Sequence, residues 1–339
     1  MKRRLRLVIG ILISLVALYI ALRDIDTREL WVVYRDADYL CMAPALLLVF
    51  LINWVRAYRW RLLIYPRQDL PLGRLFSIVN IGYLFNNTLP AKAGEVVRGY
   101  LVGRIIPGGM ARAVSSLLIE RLLDVLALML VLLGLLSFVN MPPEVIVAGR
   151  LLGAVSVVGV LVLLVLSRFG DRGLEWIWRF LGRIRWIGHP RVRAALEDLL
   201  TGFRVLTDGK LLPGIVLSSV VIWFGYALLN HIVLGVFRMT YLPMTAAAVV
   251  LCATGFSMVV PSSPGAMGVW EAAVVLALSV YGVARSEAFG YAFGLHALTN
   301  IALIVLGLWG MRSESLSFAD VRVQAADGEA GQEAGLAGS

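Results

Sequence analysis

The chain has 339 residues, 60% of them hydrophobic, and a net charge of +9. Soluble domains hold nearer ~45–50% apolar residues, so the composition excludes an ordinary soluble core and points to a protein built for a bilayer. Its basic residues fall between apolar runs, which suits cytoplasmic loops and anionic lipid heads rather than nucleic acid.

Residues 7–22 form the first apolar run, with Lys2, Arg3, Arg4 and Arg6 before it and no small-residue cleavage site after it. It is expected to remain as a span with its basic end in the cytoplasm. Residues 23–39 carry three Arg against five Asp or Glu, which suits the outer face. A second span, 40–62, returns toward Arg59, Arg61, Arg67 and Arg74. Two shorter apolar pieces follow, 75–89 and 96–106. The polar stretch Asn86-Asn87-Thr88-Leu89-Pro90-Ala91-Lys92-Ala93-Gly94-Glu95 separates them. Both are shorter than the ~20 residues of a crossing helix, so a re-entrant hairpin is expected.

Residues 115–139 read as a span outward and 150–167 as its return. The loop 168–211 carries nine Lys or Arg against five Asp or Glu and is assigned to the cytoplasm, with Trp176, Trp178 and Trp186 suited to an interface. Within it Val192, Ala195, Leu196, Leu199, Leu200, Phe203 and Leu206 repeat at helical spacing, the pattern of an amphipathic helix. Residues 212–236 cross outward. A second interruption, Pro261 to Glu271, separates 241–260 from 269–283; these form either a re-entrant pair or two full crossings. Residues 287–310 finish inward, and the Ala-, Gly- and acid-rich tail 313–339 is expected to be disordered.

The expected fold is an all-α polytopic protein of the cytoplasmic (inner) membrane. It has about six full spans plus two interrupted or re-entrant helical hairpins, and both termini lie in the cytoplasm. Residues 1–312 make the membrane domain, including the amphipathic loop. Each interruption combines Pro, small residues and Gly with a following Glu. This weak internal symmetry fits an inverted repeat whose breaks meet at a substrate site.

Polar residues inside these apolar runs are the functional candidates. An Arg at the membrane centre costs ~2.5 kcal/mol or more, so Arg56, on one helical face with Asn53, needs water, acid or phosphate. Arg59 continues that face and is expected to snorkel to the interface. Lys92, Glu95 and Arg98 follow Pro90 at three-residue spacing, with Gly94 between the first two; a helix start there adds positive potential for a phosphate. Arg56, Lys92, Arg98 and Arg121 are therefore candidates for lipid-headgroup binding. Glu95, Glu120, Asp124 and Glu271 are candidates for charge balance or proton coupling. A purely structural ion network, and helix capping by Glu271, remain open alternatives. Pro264, Gly265 and Gly268 supply the second turn. Tyr226 with Asn230, and His296 with Asn300, share helical faces and either line a cavity or bond helices together. His189, His231 and His296 are too scattered for a metal site, Cys41 and Cys252 give no disulfide pattern, and no cofactor is expected.

At these motifs the chain resembles the transmembrane lysylphosphatidylglycerol synthase/flippase-like family. It is similar to the flippase domain of multiple peptide resistance factors and to archaeal AglD. The matching stretches are Asn86 to Glu95 with Arg98, Glu120-Arg121-Leu122-Leu123-Asp124, and Pro261 to Glu271. The resemblance implies a transporter or flippase for an anionic phospholipid or a polyprenyl lipid or glycolipid. The alternatives are an integral-membrane transferase acting on a lipid-linked sugar and a scaffold for envelope-lipid synthesis. Expected partners are a membrane lipid or lipid-linked sugar and an envelope-lipid biosynthetic enzyme. The aminoacyl transfer of the namesakes resides in a soluble domain absent here, so enzymatic activity is not expected.

Overall fold

The computed structural model describes residues 2–22, 25–66, 69–89, 93–139, 190–258 and 263–317, with scattered helical positions between 143 and 165. Pro90, Lys92, Pro261, the three tryptophans of the 168–189 stretch and the tail beyond residue 317 lie outside them.

All described elements are helical. They are α1 (Lys2–Leu22), α2 (Thr27–Arg35), α3 (Met42–Leu63), α4 (Leu72–Thr88), α5 (Ala93–Gly103), α6 (Gly109–Leu135), α7 (Pro190–Phe203), α8 (Leu212–Val236), α9 (Met244–Ser257), α10 (Val269–Ser279) and α11 (Arg285–Ser313). Short 3₁₀ turns precede α3 and α10.

By length and composition, three described segments can cross a membrane: Tyr39–Leu63, Leu212–Val236 and Arg285–Ser313. This is fewer than the six full spans expected from the sequence. The difference has a physical source in α6, which is 27 residues long but interrupts its apolar run with Glu120, Arg121 and Asp124. Glu120 and Asp124 are turned into the protein. In α1 the side chains before Leu12 lie outside the described residues, as does much of 150–167.

The short helices have local causes. Leu89 leaves helical geometry at the end of α4, directly before Pro90, as residues preceding proline tend to. α4 and α5 then pack together. A Cβ on Gly94 would collide with the Gly82 carbonyl, so glycine at both places lets the two backbones touch. The Asn86 side chain accepts from the Gly94 N–H at 2.9 Å and ties the bend shut. At the second interruption Gly265 (φ +69°) and Gly268 (φ +85°) hold left-handed backbone, cheap only for glycine. Gly268 also sits directly on the backbone of α1 at Ser14 and Leu18, with no space for a side chain. The two interruptions are neighbours: α4 lies beside the turn at Pro264–Ala266, and a side chain added at Gly265 would come within van der Waals range of the Asn87 carbonyl.

α2 is a short amphipathic helix in the acidic segment. Asp26 caps it by accepting from the Arg28 N–H at 2.7 Å, and Tyr34 donates to the Gly290 carbonyl of α11 at 3.0 Å. α7 realises the amphipathic pattern, burying Leu200 and Phe203 against α6. α11 runs through Ser313, and Glu314 pairs with Arg74 at 3.0 Å.

Two large apolar cores result, beside a smaller cluster of Ile81, Leu84, Phe85, Val97 and Met311. One joins the N-terminal half of α3 and the C-terminal half of α6 to α8, α9, α10 and α11. The other joins the end of α3 to α4, α5, the start of α6 and α7. On α3, Ile52 belongs to the first and Trp60 to the second; on α6, Leu128 and Ile119 divide likewise. The charged residues lie at this seam.

Candidate functional site

Helical spacing builds the seam. On α3, Asn53, Arg56, Arg59 and Trp60 recur at three- and four-residue steps and all are buried. On α6, Glu120 and Asp124 are four apart and face them. Arg56 reaches Glu120 at 3.0 Å and Asp124 at 3.3 Å. Its Nε donates to the Tyr226 hydroxyl of α8 at 3.0 Å. Arg59 binds Asp124 at 2.7 Å, lies 3.8 Å from Glu120 and donates to Ser219 at 3.2 Å.

α5 contributes Arg98, whose stem lies where a Gly82 side chain would be. Its guanidinium binds Glu120 at 2.8 Å and sits 4.3 Å above the Trp60 ring, a cation–π contact. Trp60 is held by its own bond to Ser116, 3.0 Å. Arg121 closes the group, 2.8 Å from Glu120, 3.3 Å from Asp124 and 3.7 Å from Glu95. Tyr83 of α4 interacts electrostatically with Arg56, Arg121 and Tyr226.

Four guanidiniums thus face three carboxylates, leaving one positive charge in excess among the described residues. Glu120 and Asp124 have side chains 2% and 9% exposed, whereas Arg121 and Glu95 reach 40% and 32%. The cluster is sealed on one side and open on the other. The Nε atoms of Arg59 and Arg98 are buried without a hydrogen-bond acceptor, an expensive state for a charged donor. Donor capacity therefore exceeds acceptor capacity, the condition for receiving an anion.

Of the candidates read from sequence, Arg56, Glu95, Arg98, Glu120, Arg121, Asp124 and Tyr226 come together here. Lys92 and Pro90 fall outside the described residues. Asn53 turns its amide back to the Val49 carbonyl at 2.8 Å. Asn230 bonds the Ala247 carbonyl at 3.2 Å, a link between α8 and α9, and Asn300 is half-buried on α11. Glu271 does not join the arginines. It accepts from the Gly268 N–H at 2.6 Å and lies 2.6 Å from His296. The expected snorkelling of Arg59 is corrected: it is fully buried, because Asp124 offers it a partner inside. Trp60, Tyr83 and Ser219 were missed. Trp60 alone had a signal, sitting four residues after Arg56 on the charged face.

Fold and site together define a multi-pass helical membrane protein with an arginine–carboxylate cluster buried between its helices. The family model described as "Lysylphosphatidylglycerol synthase TM region" matches residues 7–307, and the chain belongs to this flippase-like family of inner-membrane proteins. It is 27% identical to Glycosyltransferase AglD of Haloferax volcanii, over 93% of this chain and 55% of that protein. It is 26% identical to a UPF0104 membrane protein of Methanothermobacter thermautotrophicus, over 81% of this chain and 86% of that one. The chain thus spans about half the length of AglD. No solved structure matches it significantly.

These matches correct the expectation of a non-enzymatic protein, since the family model is named for a synthase and one relative is named a glycosyltransferase.

Proposed function

We propose that the chain is an integral-membrane transferase acting on a lipid-linked sugar, with the lipid phosphate held at the arginine cluster. The observation that carries the reading is the excess of buried guanidinium donors over carboxylate acceptors at the seam. Arg56, Arg98 and Arg121 receive the phosphate, whose lipid chain stays in the bilayer. Glu120 and Asp124 are already engaged by arginine and set the positions of the guanidiniums. Glu95 is half-exposed at the open side and has acceptor capacity to spare. It takes the proton of an acceptor hydroxyl as that oxygen bonds to the anomeric carbon and the carbon–oxygen bond to phosphate breaks. The charge left on the phosphate is held by the arginines. The name of the AglD relative supports this reading.

The test uses the protein in nanodiscs with a radiolabelled polyprenyl-phosphate hexose and hydroxyl-bearing acceptors. Labelled product is expected, with a loss of ~10²-fold or more for Glu95→Gln and weaker substrate binding for Arg98→Ala. Wild-type turnover by Glu95→Gln, or undiminished binding by Arg98→Ala, would refute the assignment.

A second reading, translocation of the same class of lipid, is favoured by the closeness of the two interruptions, where α4 lies beside the turn at Pro264–Ala266. In it α4–α5 and α9–α10 act as re-entrant hairpins entering from opposite faces, both chain termini are cytoplasmic, and the headgroup passes between the hairpins. Accelerated movement of a fluorescent phospholipid between leaflets of proteoliposomes, abolished by Arg98→Ala, distinguishes it from transfer chemistry.

A further inference from the structure

The arginine cluster is open on one face, and the surroundings of that face determine what reaches it. Among the described residues, its members Arg56, Arg59, Arg98, Glu120 and Asp124 have side chains under a tenth exposed. Arg121 and Glu95 are its charged members at the surface, 3.7 Å apart across α6 and α5. Their neighbours there are apolar. Leu118 and Val114 lie one and two turns before Arg121 on α6, at steps of three and four residues that keep them on its face. Val96 follows Glu95 on α5. All three are exposed.

The place of this opening along α6 sets it within the bilayer. α6 is 27 residues long, or ~40 Å, about the depth of a bilayer with its headgroups. Arg121 is twelve residues from the start at Gly109 and fourteen from the end at Leu135, so it lies near mid-depth. Exposed apolar side chains continue along α6 on both sides of it, Val114 and Leu118 before and Leu130 and Leu133 after.

The approach from the start of α6 is filled. Ala113, Leu117 and Ile119 belong to one core with Leu200 and Phe203 of α7, and Arg112 pairs with Asp198 across the same two helices. An exposed charge bordered by hydrocarbon is expensive. Arg121 remains 40% exposed although Glu95, Glu120 and Asp124 are all within ion-pair distance. An anion carried by the bilayer itself relieves that cost.

We propose that the opening between α5 and α6 at Glu95 and Arg121 is a lateral entrance from the bilayer. A lipid phosphate passes through it to the arginines, and the first carbons of the lipid chain lie on Val96, Val114 and Leu118. This rests on the phosphate reading of the cluster and narrows it: the sugar donor is a lipid phosphate taken from the membrane, not a water-soluble nucleotide sugar. Val96, Val114 and Leu118 determine that specificity, because they give apolar contact to an aliphatic chain beside the phosphate and no hydrogen bond to a nucleotide.

Two measurements in nanodiscs test the entrance. Binding of a polyprenyl-phosphate hexose and of inorganic phosphate is compared in wild type, Val96→Trp, Leu118→Trp and, as a control, Leu133→Trp. These positions are exposed, so the core is kept, while a Trp at 96 or 118 crowds the border of the opening. A loss of ~tenfold in lipid binding, the worth of about two buried methylenes, is expected for Val96→Trp and Leu118→Trp. Phosphate binding should be unchanged, and Leu133→Trp should match the wild type. In the second measurement a bimane is attached at Leu118→Cys in a Cys41→Ala, Cys252→Ala background. It should be quenched by a lipid carrying a nitroxide on its acyl chain and not by iodide in the buffer. Undiminished lipid binding by Val96→Trp and Leu118→Trp, an equal loss in Leu133→Trp, a parallel loss of phosphate binding, or quenching by iodide would overturn the entrance and leave the phosphate reading standing. A wild type that does not bind the lipid phosphate, with the bimane still quenched from the bilayer, would overturn the phosphate reading and with it the entrance as a route for that lipid.

Discussion

Glu120→Gln is the sharpest probe of the seam. The change keeps side-chain volume and removes one charge, so packing is untouched and the effect is electrostatic. Glu120 meets Arg98 at 2.8 Å, Arg56 at 3.0 Å and Arg121 at 2.8 Å. Each such pair attracts by ~4 kcal/mol at a charge separation of ~4 Å and an effective dielectric of ~20. Repulsion among the arginines and a desolvation penalty of ~several kcal/mol per ion oppose this. Removing one partner of a buried pair leaves the others uncompensated, at ~3–5 kcal/mol. Here three guanidiniums lose the same acceptor, so the upper part of that range is expected. Against a total stability of ~5–15 kcal/mol, this is a large loss. It is measured by equilibrium unfolding in detergent micelles, with and without inorganic phosphate. An anion that occupies the vacated positive field stabilises Glu120→Gln more than the wild type. Arg98→Met combined with Glu120→Gln should cost less than the two changes added, because each removes the other's reason to be charged. A loss under ~1 kcal/mol, typical of an exposed pair, together with additive behaviour, would refute the view that Glu120 anchors a buried cluster.

Gly94→Val should prevent stable assembly, since its side chain would enter the Gly82 backbone. Gly134→Ala, which meets open space, should be neutral or stabilise by ~0.5–1 kcal/mol; comparison of melting temperatures checks both. Trp60→Leu removes the aromatic face beneath Arg98 and should cost ~0.5–2 kcal/mol from the cation–π contact beyond the loss of packing, read by unfolding of Trp60→Leu with and without Arg98→Met. Maleimide should label half-buried Cys41 in the folded protein and buried Cys252 only after unfolding; equal labelling rates would contradict the packing of α9 against α6.

The apolar pattern alone identified a helical membrane protein, because bilayer thickness fixes the length of an apolar run and leaves few other uses for one. It also marked both interruptions, since proline and glycine break helices by local sterics whatever surrounds them. Helical spacing placed Glu120 and Asp124 on one face, and Arg56 on another, before any partner was known. Partnership was decided by tertiary structure. Sequence could not tell that Asp124 would draw Arg59 inward, because the cost of burying a guanidinium depends on which helix packs opposite. Nor could it assign Glu271 to His296 rather than to the arginines, as the two are 25 residues apart and meet only when α10 folds back along α11. Local periodicity records which way a side chain points, and the packing of helices determines what it finds there.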